Sequence, residues 1–341
     1  MRKFVPSAAI LGLGLLLAAC SGNETQGTPD AGTLGKVKVF AAFATPIEEP
    51  WDGVIHLALQ DAQQRGNIEY TYKEKIGYAD GAMEAALREA VKASPKPDVI
   101  FGDAFGNEEA VRKVAKDNQG IRFVFGSEFG PVEPNLSVFD NWIHEPAYLC
   151  GMLAGRLTAT GKVGVVGGMP VAEVNRVVNA FIAGAKEARP DVKVFVAFIN
   201  SWYDPDKAGA AAEAQIAAGA DLLFGERSGV IEVAKKHGLM AFGNMQDQSA
   251  LGPETVVTGP VWNMGPTVTY AVSQVRAGSF TAQDLKDFSM MAKGGAKLAP
   301  YTEHFTNTLP PTVVSEINDR SAKIMSGLFR VPILEETPVG D

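Results

Sequence analysis

All four tryptophans of the 341-residue chain lie in short segments that combine the indole ring with acidic or amide side chains. The segments are EEPWDG around Trp51, DNWIHE around Trp142, NSWYDP around Trp202 and PVWNMG around Trp262. A single aromatic ring in a turn more often covers a hydrophobic core than contacts a ligand. Four such rings at one predicted edge favour a flat ligand, because stacking on an aromatic side chain contributes about 1–3 kcal/mol per ring.

Acidic and amide side chains accompany these rings at the ends of predicted strands. Such groups can accept hydrogen bonds from the N–H groups on the edge of a purine. Asp103 precedes a predicted helix, where a carboxylate also caps the helix, and Asn175 can instead hold its own turn. Glu226 and Asp247 are therefore favoured over Asp103 as ligand contacts. The predicted ligand-binding residues are Trp51, Phe105, Glu128, Trp142, Asn175, Trp202, Glu226, Asp247 and Trp262.

No motif for metal binding, phosphate binding or hydrolysis is recognisable in the sequence. The four histidines, His56, His144, His237 and His304, lie far apart, so a helix-borne zinc motif is absent. The glycines of GKVGVVGG lack the order of a dinucleotide-binding loop, and neither a P-loop nor a G-x-S-x-G elbow occurs. The net charge of −8 provides no field that would favour nucleic acid. We expect a binding protein rather than an enzyme, with no metal, cofactor or nucleic-acid partner.

Two similar α/β lobes are predicted from residue 37 onward, because β-branched runs alternate with helical stretches. The phrase PDVIFGDAFG at 97–106 returns as ADLLFGERSG at 220–229, with Asp103 and Glu226 at the same position of the phrase. Each copy is typical of a third strand that enters its helix through a glycine turn. Ligands of open parallel sheets bind beyond the carboxyl ends of the strands, so facing lobes would place both acids in one cleft.

The first 36 residues are typical of an export signal followed by a tether. Residues 1–19 have a basic start and a short apolar stretch, which predicts a signal peptide. The sequence LAAC that ends at Cys20 resembles a bacterial lipobox, in which the cysteine is acylated; the alternative is a plain signal peptide with a chance cysteine. Residues 20–36 are small and polar, which predicts a flexible tether after the lipidated cysteine. Cys150, the other cysteine, lies among apolar residues and is expected in the core.

Six segments together resemble the basic membrane protein family of ABC-transporter substrate-binding lipoproteins, which includes purine nucleoside receptors. They are GYADGAMEAAL, PDVIFG, NLSVFDNWIHEPAYLCGMLAG, KVGVVGGMPVAEVNRVVNAFIAGA, SWYDPDKA and VVTGPVWNMG. The resemblance, which covers nearly all of 37–280, implies a type I periplasmic-binding-protein fold, a purine-like ligand and a membrane permease as partner. It also implies that Trp51 and Trp202 stack on the base and that Asp247 supplies an acid.

The resemblance further implies a lipid-anchored monomer in the cell envelope, on the periplasmic side of a bacterial membrane. The predicted lobes are residues 37–142 with 263–279 and residues 143–262 with 280–335, joined by several crossings that form a hinge.

The sequence departs from the nucleoside receptors at two places that serve the sugar. Their first turn is rich in Asp and Asn and their last crossing offers a lysine, whereas here the first turn reads FATPIEEPW and the last crossing carries Trp262. Sugar hydroxyls without partners in a closed cleft cost about 1–3 kcal/mol each. A free base such as adenine is therefore favoured over a nucleoside. The alternatives are another small molecule, such as a sugar or an amino acid, and an exported nucleoside hydrolase.

Overall fold

The first half of the chain forms a parallel sheet of five strands in the order β2-β1-β3-β4-β5. The computed structural model describes residues 35–341, so the predicted signal peptide, Cys20 and most of the tether lie outside the described residues. Helices cover both faces of the sheet, which explains why β3 and β5 are buried at every position. The strands are β1 (Val37–Ala42), β2 (Ile68–Lys73), β3 (Val99–Asp103), β4 (Arg122–Gly126) and β5 (Leu136–Phe139). The helices are α1 (Pro50–Gln64), α2 (Ala82–Ala90) and α3 (Glu108–Asp117).

A second parallel sheet follows with four strands in the order β7-β6-β8-β9. Its order repeats that of the first four strands of the first sheet, so β3 and β8, the two copies of the repeated phrase, hold equivalent places. The predicted α/β class with parallel sheets is confirmed. The strands are β6 (Lys162–Gly167), β7 (Lys193–Phe198), β8 (Leu222–Gly225) and β9 (Met240–Phe242). The helices are α4 (His144–Leu157), α5 (Ala172–Ala188), α6 (Pro205–Ala217) and α7 (Val230–Lys236).

The remaining segments pack on elements of both sheets. Residues 281–285 run beside β5, where the Val138 N–H donates to the Gln283 carbonyl at 2.9 Å. The C-terminal helix instead lies on α4, and Arg156 pairs there with Glu316 at 2.8 Å. The lobe boundaries predicted from the sequence stay a proposal. The elements are β10 (Pro260–Trp262), α8 (Gly265–Ala277), β11 (Ala296–Leu298), α9 (Glu303–Thr308) and α10 (Pro311–Met325).

Helices α4 and α5 approach each other closely through glycines. Gly151 of α4 faces the carbonyl of Phe181, and Gly184 of α5 faces the carbonyl of Tyr148. A methyl group at either glycine would overlap that carbonyl oxygen. Cys150, next to the first of these glycines, is fully buried, which confirms its predicted place in the core.

Replacing Gly184 by alanine is expected to lower the free energy of unfolding by about 1–3 kcal/mol, because the two helices must separate to admit the methyl group. Gly209→Ala in α6 is the matched control. A methyl group at Gly209 would lie 3.4 Å from its nearest neighbour, the Val233 side chain, which is an ordinary contact distance. There the better helix propensity of alanine should leave the protein as stable or up to about 1 kcal/mol more stable. Chemical denaturation measures both variants, and equal stabilities would contradict the close approach.

Candidate ligand-binding site

The carboxyl ends of the two sheets enclose a small cavity. From the first sheet it is lined by the last residue of β3 and by residues that follow β1, β2 and β3, and from the second by residues that follow β6, β7 and β8. The lining residues are Thr45, Glu49, Trp51, Tyr78, Asp103, Phe105, Glu173, Trp202 and Arg227. This is the position expected for a ligand site of open parallel sheets.

Three of the four aromatic rings that line the cavity contact one another in a row. Phe105 stands between the two tryptophans, with its ring centre 5.1 Å from that of Trp51 and 6.0 Å from that of Trp202. Both contacts are edge-to-face. Glu49 fixes the first tryptophan by capping α1, because its carboxylate accepts from the Trp51 N–H at 2.9 Å. The indole N–H of Trp51 is buried and has no hydrogen-bond partner among the described residues.

The cavity measures ≈ 20 Å³, whereas sites for small molecules usually measure about 300–1,000 Å³. It therefore holds about one water molecule with the side chains placed as they are. A planar ligand fits between the tryptophans only if the two sheets separate or the rings move. The chain crosses between the sheets more than once, and such crossings are the usual place of a hinge.

Arg227 links the two sheets across the cavity. Its Nε donates to Glu226 at 2.9 Å, and its Nη1 donates to Glu49, which lies on the other side, at 3.1 Å. The guanidinium also lies over the ring of Trp202, 5.3 Å from the ring centre. Gly168 leaves the space for this arrangement, because a side chain there would collide with the guanidinium. Arg227 is thus a buried cation that holds carboxylates of both sheets.

Carboxyl groups outnumber this one cation around the cavity. Burial, and next the charge of Glu49, raises the pKa of Asp52 to about 7. Burial, together with the charges of Glu226 and Asp140, raises the pKa of Glu173 to about 8. Burial and the neighbouring Asp52 raise the pKa of Asp103 well above its ordinary value. These raised pKa values favour the neutral forms of the three acids relative to exposed carboxyl groups.

The stability of the protein should depend on the ionisation of Asp52. One oxygen, Oδ2, accepts from the N–H and the hydroxyl of Thr45, at 2.9 and 2.6 Å, and the other, Oδ1, is buried without a partner among residues 35–341. The pKa of Asp52 is raised in the folded protein, so its contribution to stability is complete below the unfolded value and is lost as the pH rises to about 7. Asp52→Asn should therefore gain stability relative to the unsubstituted protein between about pH 5 and about pH 8, by on the order of 2 kcal/mol.

Urea denaturation of Asp52→Asn at both pH values measures this gain. Asp61→Asn, at an exposed aspartate of the same helix, is the control for removing a charge from α1. A stability difference between Asp52→Asn and the unsubstituted protein that stays constant with pH would contradict the assignment.

Three of the nine residues predicted from the sequence line the cavity: Trp51, Phe105 and Trp202. Asp103, which the sequence placed second to Glu226, lines it as well. Glu226 does not line the cavity. It lies behind Arg227, which does, and there it accepts from the Gly168 N–H and from the Arg227 Nε, both at 2.9 Å.

Trp262 supports the cavity wall from behind. Its ring centre lies 4.9 Å from that of Trp51, and its indole N–H donates to Ser289 at 3.0 Å. The side chain is buried, so it holds the wall tryptophan in place while its own polar atom is satisfied within the protein.

Trp142 and Glu128 lie in a neighbouring cavity of ≈ 270 Å³, which shares Glu173 with the first. The guanidinium of Arg176 stacks on the Trp142 ring at 4.0 Å, and Lys286 lies 5.6 Å from the ring centre. Trp142 therefore lies beside two cations, in a different cavity from Trp51, Phe105 and Trp202.

Asn175 and Asp247 line neither cavity. The Asn175 amide donates to the carbonyl of Glu335 at 3.0 Å and so fastens the C-terminal segment to α5. The Asp247 carboxylate is exposed and accepts from the Ser249 N–H of its own turn at 3.0 Å. It borders an open surface depression with Tyr203.

Sequence reasoning missed several residues that line the cavity. The omitted residues are Thr45, Glu49, Tyr78, Glu173 and Arg227. Two of them had a local signal: Glu49 precedes Pro50 at a helix start, and Arg227 directly follows an acid in the repeated phrase. The others are ordinary polar residues whose role depends on the fold.

The described residues contain no group of His, Cys, Asp and Glu arranged to hold a metal ion. Over residues 35–341 no helix combines the length and apolar composition needed to cross a membrane.

Comparison with known proteins gives concordant matches. A family model described as ABC transporter substrate-binding protein, PnrA-like, matches residues 39–332. A purine-binding protein of Brucella abortus is 30% identical over 76% of this chain and 72% of its own. The ABC transporter nucleoside-binding protein BmpA of Lactococcus lactis is 25% identical over 97% of this chain and 99% of its own.

Solved structures of low identity share the fold. An ABC transporter solute-binding protein from Conexibacter woesei superimposes with a TM-score of 0.69 at 21% identity, covering 88% of this chain and 100% of that one. The predicted type I periplasmic-binding-protein fold is thereby confirmed.

Proposed function

The chain belongs to the PnrA-like family of ABC transporter substrate-binding proteins, and from that premise we propose that it captures a purine between its two sheets for an ABC permease. The observation that carries the proposal is the cavity lined by Trp51 from the first sheet and Trp202 from the second, each in edge-to-face contact with Phe105. Two indole rings on opposite sheets are suited to sandwich a planar base when the sheets close on it. The purine-binding and nucleoside-binding names of the relatives support the same ligand class.

The polar part of the wall suits the edge of such a base. Arg227 brings guanidinium donors, and the carboxyl groups of Asp103 and Glu173 bring acceptors, all lining the same cavity. A purine carries ring nitrogens that accept and N–H groups that donate, so it uses both kinds of partner. A ligand made only of carbon and hydrogen would leave these buried groups without partners, at a cost of about 1–3 kcal/mol each.

A free base such as adenine suits the cavity better than a nucleoside. The last crossing presents Trp262, which is buried behind Trp51 and satisfied by Ser289, so it offers no group to a ribose hydroxyl. The cavity volume of ≈ 20 Å³ also means that every added ligand atom requires further opening. A nucleoside is the second candidate, because the neighbouring cavity that contains Trp142 adjoins through Glu173.

Titration calorimetry with adenine, adenosine, glucose and an amino acid tests the ligand class. Adenine should bind and should raise the stability of the protein by about 2.7 kcal/mol when present at about 100 times its dissociation constant. Binding of glucose or the amino acid without a purine would contradict the proposal. Release of free base from adenosine on prolonged incubation would assign the site to a hydrolase instead.

We further propose that the protein works outside the cytoplasm as a monomer. An acylated Cys20 would anchor it to the membrane, and residues 21–36 would serve as the tether through which it reaches its permease. Expression of the full chain and of Cys20→Ser, followed by membrane fractionation, tests the anchor. The unsubstituted chain should sediment with membranes and the variant should be soluble after export. A variant that still sediments with membranes would contradict lipid anchoring at this residue.

A further inference from the structure

Asp103 is a buried carboxyl group at the cavity wall with no cation of its own. It ends β3 and is 5% exposed. One oxygen, Oδ1, accepts from the Phe105 N–H at 3.0 Å, and no donor reaches the other oxygen, Oδ2, among residues 35–341. Arg227, the cation that lines the cavity, is already bonded to Glu226 and Glu49. A bare negative charge in this position lacks the pairing that buried ions need.

The groups around Asp103 come from several elements and are mainly acidic. Asp52 and Glu49 face it from the start of α1, and Glu108 from the start of α3. Tyr78 lies in the segment after β2, and the charge of Asp103 contributes to raising the pKa of its phenol. Burial and the first of these acids raise the pKa of Asp103 well above its ordinary value. This shift favours the neutral form of the carboxyl, which has an O–H that can donate as well as a carbonyl oxygen that can accept.

We propose that Asp103 reads the edge of the bound purine as a neutral carboxyl group, which donates its O–H to a ring nitrogen and accepts the adjacent N–H. This inference rests on the proposed function and adds which residue recognises the edge of the base. Adenine has such an edge, because its amino group lies beside an acceptor nitrogen. Guanine presents two adjacent donors on its N1 and N2 edge, which match an ionised carboxylate better than a neutral carboxyl. Asp103 is thus a specificity-determining residue that favours adenine over guanine.

Among the other acids, only Glu173 competes for this role. Glu226 is held by Arg227 and the Gly168 N–H and does not line the cavity. Glu49 is committed to Arg227 and to the N-terminus of α1. Glu173 lines the cavity, and one of its oxygens accepts from the Asn141 amide, but it borders the neighbouring cavity as well. It is therefore the natural comparator in a test.

The protonation state of Asp103 determines whether adenine affinity rises or falls with pH. The neutral form of Asp103 is present below its raised pKa and is lost as the pH rises through that value. Adenine affinity should then fall with rising pH, by at most tenfold per pH unit above the pKa. Guanine affinity should not fall in this way. Asp103→Asn, whose amide also offers one donor and one acceptor, should bind adenine with an affinity that no longer varies with pH.

Tryptophan fluorescence titrations with adenine and guanine between about pH 6 and about pH 8.5 make the test, on the unsubstituted protein, Asp103→Asn and Glu173→Gln. We expect the adenine affinity of the unsubstituted protein and of Glu173→Gln to fall as the pH rises. The adenine affinity of Asp103→Asn should not change with pH. An unchanged slope in Asp103→Asn, or a slope that Glu173→Gln removes instead, overturns the assignment of Asp103 while adenine binding stands. Absence of purine binding at every pH overturns the proposed function itself and the inference with it.

Calorimetry of the unsubstituted protein in two buffers of different ionisation enthalpy makes a check that needs no variant. Adenine binding should take up more protons than guanine binding at the upper end of the pH range. Equal proton uptake for the two bases would count against a neutral carboxyl at the base edge.

Discussion

Replacement of Arg227 by methionine is expected to lower the free energy of unfolding by about 3–5 kcal/mol near pH 7, the largest effect of any substitution considered for this protein. The guanidinium side chain is 7% exposed and pairs with Glu226 and Glu49, which are equally buried. Its removal leaves two carboxylates without a cation in a medium that disfavours charge. The loss should shrink at low pH, where burial favours the neutral form of these acids because it raises the pKa of each.

Chemical denaturation measures this loss, and Arg156→Met is its control. Arg156 makes a similar pair with Glu316 at the surface, where both side chains are 36–40% exposed, so its removal should cost less than about 1 kcal/mol. Adding Glu49→Gln and Glu226→Gln to Arg227→Met should recover part of the stability, since the unpaired charges are then gone. An Arg227→Met protein no less stable than Arg156→Met would show that the charge pairs between the sheets contribute little.

Replacement of Trp202 by alanine is expected to weaken purine binding roughly 5- to 150-fold, which corresponds to the loss of about 1–3 kcal/mol of stacking. Trp202 is only half-buried and contacts the other wall rings through Phe105, so its removal should leave most of the fold intact. Calorimetry with adenine measures the affinity, and circular dichroism shows whether the variant is folded.

Trp142→Ala is the matched control for this substitution. Trp142 is also half-buried but stacks on Arg176 in the neighbouring cavity, so its loss should change adenine affinity less than about threefold. A loss of affinity in Trp142→Ala as large as that in Trp202→Ala would move the base to the neighbouring cavity. An unchanged affinity in Trp202→Ala would remove this ring from the site.

The fold could be predicted from the sequence because its signals are local. Alternation of β-branched runs with helical stretches marks each strand and helix, and the repeated phrase marks β3 and β8 as equivalent strands. The segment GYADGAMEAAL predicts a helix that starts at Ala79, whereas α2 begins at Ala82, because Gly81 adopts a left-handed backbone with φ of 75° just before it. Such differences at helix ends do not alter the topology.

The candidate site could be predicted only in part, because it depends on which side chain at a strand end turns inward. Glu226 and Arg227 are neighbours in the chain, yet the second reaches the cavity and the first supports it. The partner of Arg227 on the other side of the cavity is Glu49, 178 positions away, and no sequence period links the two. Asn175 faces residue 335 of the C-terminal segment, which carries no periodic pattern from which to place it.

The four tryptophans also divide into two that line the cavity as predicted and two that do not. Trp51 and Trp202 occupy the cavity as the family resemblance implied, whereas Trp142 and Trp262 have comparable sequence surroundings and lie elsewhere. Their positions follow from packing: Trp142 lies on a buried arginine, and the Trp262 indole N–H donates to Ser289. Both contacts join residues far apart in sequence, so only the folded chain distinguishes these rings from the ligand-facing ones.

A crystal structure of the protein grown with adenine tests the central claim most directly. The account predicts that the base lies between the rings of Trp51 and Trp202, at about 3.5–4.0 Å from each. It also predicts that Asp103 lies within hydrogen-bond distance of the base edge. Adenine bound instead between Glu128 and Trp142, or a sugar or amino acid retained between the two sheets in its place, would contradict the account.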